Sequence, residues 1–184
     1  MNAKDDSYLS EERIEKIKTR ISAKVDDYER YSFTPLQDCA LKTFFDLAQE
    51  FEDQRDFYLI STLIPKLFFN LECALHLVNQ SGTLDMVCSS AGHPLEPQTS
   101  TGETPGLIEE QTVLDNQLFV PIKGNIQLPY DLPAYPRKGI LGLFEIYAGS
   151  ELTEHMKLFF EKYVNRIGFQ LHNRFIAEKN KDHL

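Results

Sequence analysis

The apolar positions of this chain change period along its length, and the clearest change falls near the C-terminal end. From Met156 onward, Phe159, Phe160, Tyr163, Val164, Ile167, Leu171 and Phe175 return every three or four residues. That spacing places side chains on one face of an α-helix. Thr153 stands where an N-cap belongs, and Glu154 in the first turn suits the positive end of the helix dipole. Just upstream, residues 139–147 (Gly-Ile-Leu-Gly-Leu-Phe-Glu-Ile-Tyr) are too short and too rich in β-branched and aromatic side chains for a helix. They predict a strand, ended by Ala148-Gly149-Ser150. Residues 118–123 predict another strand, closed by a Gly124-Asn125 turn.

The rest of the chain divides by the same criteria. Ser10, Glu11 and Glu12 mark a helix start, and Ile14, Ile17, Ile21, Val25 and Tyr28 form a narrow apolar stripe. A stripe of two heptads has to pack on its own domain or on a second copy. Thr34 and Pro35 open a second helix carrying Leu36, Cys39, Ala40, Phe44, Leu47, Ala48 and Phe51. A charged patch over residues 50–56 separates it from a third, with Phe57, Ile60, Leu63, Ile64, Leu67 and Phe68, which Pro65 is expected to kink or end. Residues 73–78 and 84–89 read as an antiparallel hairpin around Asn79-Gln80-Ser81-Gly82. Residues 92–116 are rich in Pro, Gly, Ser, Thr and Glu, and only residues 107–110 suggest a short helix. Residues 126–138, with Pro129, Pro133 and Pro136, read as a long hairpin loop between two strands.

Strand, excursion, strand and long amphipathic helix in this order resemble the closing half of a GAF domain, a small ligand-sensing module. The resemblance lies in the Phe119-Val120-Pro121-Ile122 strand, in residues 139–146 with Gly142 at their centre, and in the helix that follows directly. It covers residues 40–184. More narrowly, Asn165-Arg166-Ile167-Gly168, Leu171-His172-Asn173, Glu178-Lys179-Asn180 and His183-Leu184 are similar to the sensory region of bacterial sensor histidine kinases. The resemblance implies an α/β (α+β), GAF-like (profilin-like) fold: an antiparallel sheet of about five or six strands. Its N- and C-terminal helices would pack on one face, and a loop-covered pocket would lie on the other. Residues 1–31 would be an N-terminal helix for dimerisation or linkage, 32–175 the sensory domain, and 176–184 the start of a signalling helix leading to an effector beyond Leu184.

Charge narrows the partners. A formal charge of −9 argues against nucleic acid or an anionic membrane, because phosphate contacts need basic surface. No apolar run approaches the length of a membrane span. Three cysteines without Cys-x-x-Cys spacing fit free thiols in a cytoplasm. Basic residues are absent between Lys66 and Lys123, whereas seven acidic ones fall in that interval: Glu72, Asp85, Glu96, Glu103, Glu109, Glu110 and Asp115. A small molecule that is not anionic is therefore the expected ligand, and the Asn-Lys-Phe-Asp-Glu signature of cyclic-nucleotide-responsive family members is missing.

Glu145 is the most informative polar residue. A carboxylate inside an apolar strand needs water, a partner or a ligand. Alternation groups it with Leu141, Leu143 and Tyr147, opposite Ile140, Phe144 and Ile146. If the latter set meets the helices, Glu145 and Tyr147 look into the ligand side; the other reading is an exposed edge position. His76 either meets a ligand or is a hydrogen-bonded interior histidine, and His93 lies at the mouth of the lid segment. Candidate ligand-binding residues are His76, Met86, Cys88, His93, Phe119, Glu145 and Tyr147. His172 and His183 are expected at solvent or at a helix–helix seam. The histidines make no metal-ligand spacing, no cofactor is expected, and no catalytic signature is present. Cys39, Cys73 and Cys88 lie in apolar periodic segments, as inert thiols do. The reading is a sensory domain that forms a parallel homodimer through its terminal helices, in a sensor histidine kinase. Alternatives are a diguanylate cyclase GAF domain, a ligand-free dimerisation module, and a thiol-dependent methionine sulfoxide reductase.

Overall fold

The computed structural model describes residues 10–30, 32–79, 81–90, 108–124, 139–148 and 152–181. His93, the lid segment before residue 108, the loop at 126–138 and the break at 149–150 lie outside them. The chain forms two compact units, Met1–Thr34 and Pro35–Leu184. The described part of the first is helix α1 (Glu11–Arg30). Ser10 caps it: its hydroxyl oxygen accepts from the Arg13 amide at 3.3 Å. Ile14, Ile17 and Ile21 stand exposed along it.

The second unit begins with α2 (Pro35–Glu50) and α3 (Gln54–Phe69). Asp53 caps α3 by accepting from the amides of Arg55 and Asp56, and Asn70 closes it in the left-handed conformation at φ 56°. The strands follow as β1 (Glu72–Val78), β2 (Leu84–Ser89), β3 (Thr112–Leu114), β4 (Gln117–Lys123) and β5 (Ile140–Tyr147). They pair antiparallel in the order β2-β1-β5-β4-β3. Helix α4 (Glu154–Lys181) completes the domain, capped by Thr153, whose hydroxyl accepts from Met156 N at 3.1 Å. Strand β3 was not expected. Its signal is the Asp115-Asn116 turn, with Asp115 at φ 53°, between two apolar stretches. The short helix expected at 107–110 is absent from its described residues, 108–110.

Helices α3 and α4 pack on one face of the sheet, around an aromatic core of Phe44, Phe57, Phe144, Phe159, Phe160 and Tyr163. Pro65 does not end α3, contrary to the sequence expectation, and the helix continues for another turn. Proline lacks the N–H that would bond to the carbonyl four residues back. That carbonyl belongs to Ser61, and it instead accepts the Tyr163 hydroxyl of α4 at 2.6 Å. The helix break anticipated at Pro65 has become a helix–helix joint.

Two further devices fix α4. Gly168 lies so close to the Lys123 carbonyl that a Cβ there would collide with it, so α4 meets the end of β4 backbone to backbone. Arg174 donates to the carbonyls of Ala48, Phe51 and Glu52, each at 2.9 Å, and its guanidinium lies 4.4 Å from the Phe57 ring centre. Helix α2 has no basic residue in its last turn, so α4 supplies the cap for its terminal carbonyls.

Tyr163→Phe should cost about 1–3 kcal/mol in wild type, because a buried carbonyl loses its donor. In a Pro65→Ala background the cost should fall below about 0.5 kcal/mol, since the substituted alanine supplies the missing N–H; a urea-unfolding double-mutant cycle measures this coupling. Gly168→Ala should destabilise by about 1–3 kcal/mol in the same assay, reversing the helix-propensity gain that Ala normally brings over Gly.

Candidate functional site

Strand β5 is the middle of the sheet, and its alternation sorts the chemistry. Phe144 points to the helices, where its ring centre lies 5.9 Å from that of Tyr163. Leu143, Glu145 and Tyr147 therefore share the other face. The register adds their neighbours on that face: Glu145 stands across from Ala74 on β1 and Phe119 on β4, and His76 across from Leu143 and, on β2, Met86. His76 and Glu145 are thus a diagonal cross-strand pair, with Nε2 and Oε2 2.9 Å apart. Both are buried, His76 at 8 % and Glu145 at 4 % exposure. The edge reading of Glu145 is excluded by its place on the central strand.

Tyr147 extends the pair to a cluster. Burial, and then its hydrogen bond with the Glu145 carboxylate, push the ionisation of the Tyr147 hydroxyl well upward, so the phenol stays protonated and donates. Glu145 is then a carboxylate held by an imidazole on one side and a phenol on the other. Burying a carboxylate costs desolvation, which hydrogen bonds to neutral or weakly charged partners offset only in part. A core built for stability alone would place apolar side chains here.

Five of the seven candidate residues come together on this face: His76, Met86, Phe119, Glu145 and Tyr147. Cys88 does not join them. Simple alternation puts Met86 and Cys88 on one side, but a β-bulge leaves Val87 without a partner on β1. Cys88 consequently pairs with Leu75 and turns to the helices, its Sγ 3.5 Å from the Thr62 hydroxyl. The same bulge brings Ser89 across from Ala74, adding a buried hydroxyl that alternation from Met86 had assigned to the other side. His172 is neither at solvent nor at a helix–helix seam; it is buried beside Gly124 at the end of β4.

With strand order, helix layer and polar cluster in place, the architecture can be matched to a solved structure. The GAF domain from Acinetobacter phosphoenolpyruvate-protein phosphotransferase aligns over 100 % of its own chain and 83 % of this one, with a TM-score of 0.55 and 14 % identity. The fold is GAF-like. No family model and no curated protein matches the chain.

The thiols of this GAF-like domain sit away from the polar face. Cys73 is buried on the helix side, where desolvation pushes its ionisation well up, the opposite of what a nucleophilic thiolate needs. Cys39 is exposed on α2. Among the described residues, no three His, Cys, Asp or Glu side chains converge as metal ligands, and no helix is long and apolar enough to cross a membrane.

In an alkaline titration followed by tyrosine NMR signals, Tyr147 and the fully buried Tyr163 should ionise after the exposed tyrosines. Glu145→Gln should bring Tyr147 back toward ordinary behaviour and leave Tyr163 unmoved.

Proposed function

We propose that this chain is a sensory and regulatory domain of a cytoplasmic signal-transduction protein, a sensor histidine kinase. In this reading it binds a small, non-anionic molecule on the sheet face opposite the helices and passes its state along α4. The observation that carries the proposal is the buried His76–Glu145 pair at 2.9 Å on that face. Such a pair is costly to bury and unnecessary for packing, which supports a role in recognition.

The relay reading is supported by what α4 touches. It is joined to α3 through Tyr163, to β4 at Gly168 and to the end of α2 through Arg174. A rearrangement of β4 or β5 on the ligand side would therefore bear directly on this helix. The histidine kinase context is supported by the resemblance over Asn165-Arg166-Ile167-Gly168 and Leu171-His172-Asn173. Parallel dimerisation through the terminal helices is supported by the exposed Ile14, Ile17 and Ile21 of α1 and the exposed Phe169 of α4.

Native mass spectrometry on protein purified from its own host should reveal a small-molecule adduct on wild type that is absent from a folded Glu145→Gln variant. An adduct-free wild type would remove the ligand-sensing reading, and equal loading of both proteins would place the ligand away from Glu145. For the dimer, deletion of residues 1–30 should lower the number of subunits per particle measured by light scattering; an unchanged number would rule out α1 as the contact.

A further inference from the structure

We propose that the ligand of this face is a small organic cation, a primary ammonium or amidinium group on a short apolar body, held by the carboxylate of Glu145. The assignment rests on the ligand-binding reading of the site and adds the chemical class.

The charge inventory of the sheet points to it. Among the described residues, the five strands contain one cationic Lys or Arg, Lys123, at the exposed end of β4. Glu72, the other strand glutamate, is already engaged at the start of β1 by Lys66 and Ser90. Among the described residues, neither lysine nor arginine lies against Glu145; its partners there are His76 and Tyr147. A carboxylate offers about four acceptor positions, so two donors leave capacity for the N–H groups of a ligand. An anionic group placed about 4 Å from this carboxylate would lose about a thousandfold in affinity at the dielectric of a partly buried site.

The neighbours suit the same class. Phe119 stands directly across from Glu145 on one side, and Tyr147 lies two residues along β5, so aromatic surface adjoins the carboxylate. Ammonium and guanidinium-like groups are attracted to such rings. On the other side the cross-strand neighbour is Ala74, whose single methyl leaves the carboxylate less crowded than a larger residue would. Met86, across from His76, offers a polarisable apolar surface for the body of the ligand.

Three probes of matched shape test the class on the full chain: 3-phenylpropylammonium, the neutral 3-phenylpropanol and the anion 3-phenylpropionate. Binding is read by calorimetry and by amide NMR shifts at His76, Phe119, Glu145 and Tyr147. The ammonium should bind and move those amides, with 3-phenylpropionate leaving them unchanged. Glu145→Gln, confirmed folded by circular dichroism, should weaken the ammonium by about tenfold or more. Should that variant fail to fold, Phe119→Leu replaces it, weakening the ammonium more than the propanol because only the cation uses the ring face. Equal or tighter binding of the propanol or the propionate at the same amides would overturn the cation assignment and leave the ligand site standing. If no probe moves those amides, the ligand site falls, and this assignment with it.

Discussion

One hydrogen bond sets the relation between the helix layer and everything it carries. The Tyr163 hydroxyl donates to the Ser61 carbonyl, which is available only because Pro65 withholds the usual helical donor. A helix interior normally offers a neighbour no free acceptor, so helices pack through side chains alone and can slide. Here the proline creates one acceptor at one height along α3. The phenol finds it from the centre of an aromatic cluster that includes Phe44, Phe144 and Phe159. The register of α4 against α3 follows from that point, and the sheet beneath inherits it through Phe144.

From this joint outward, α4 is held by contacts that are each specific in a different way. Gly168 permits a backbone approach to Lys123 that no other residue would allow, and Arg174 completes the carbonyl end of α2 while stacking on Phe57. The guanidinium lies partly desolvated there, which lowers its ionisation somewhat, but the three carbonyls and the ring face match its planar fork. These three anchors lie along the same helix and reach a different partner each. Such an element cannot adjust to one neighbour without straining its hold on another, and the relay proposed for α4 draws on that coupling.

The opposite face of the sheet follows another logic. Its helix side is an apolar and aromatic core, whereas its far side has an imidazole, a carboxylate and a phenol in contact. The two faces are separated by nothing more than the pleat of β5, with Phe144 on one side and Glu145 on the other. A sheet used this way divides labour: one surface supplies stability through burial, and the other holds polar groups at fixed spacing. The likeness to the GAF domain of the Acinetobacter protein concerns this architecture, and the His76–Glu145–Tyr147 cluster belongs to the present chain's own residues.

By itself the sequence determined the elements whose signals are local. The period of α4, its Thr153 cap, the strand character of residues 118–123 and 139–147, and the opposed faces of β5 all follow from spacing and propensity. Glu145 was legible for the same reason, since a carboxylate in an apolar strand conflicts with its surroundings wherever the strand lies. The tertiary structure decided what depends on a distant partner. Pro65 reads as a breaker until Tyr163, far along the chain, satisfies the carbonyl it frees. The carbonyls at the end of α2 find their donor only when Arg174 reaches them from the far end of the chain. Cys88 and Ser89 exchange faces because β2 bulges at Val87, which no periodicity in β2 reveals: a bulge is a property of the pairing with β1, and pairing is not written in one strand alone. His76 likewise acquires its meaning only when the register sets it diagonally across from Glu145.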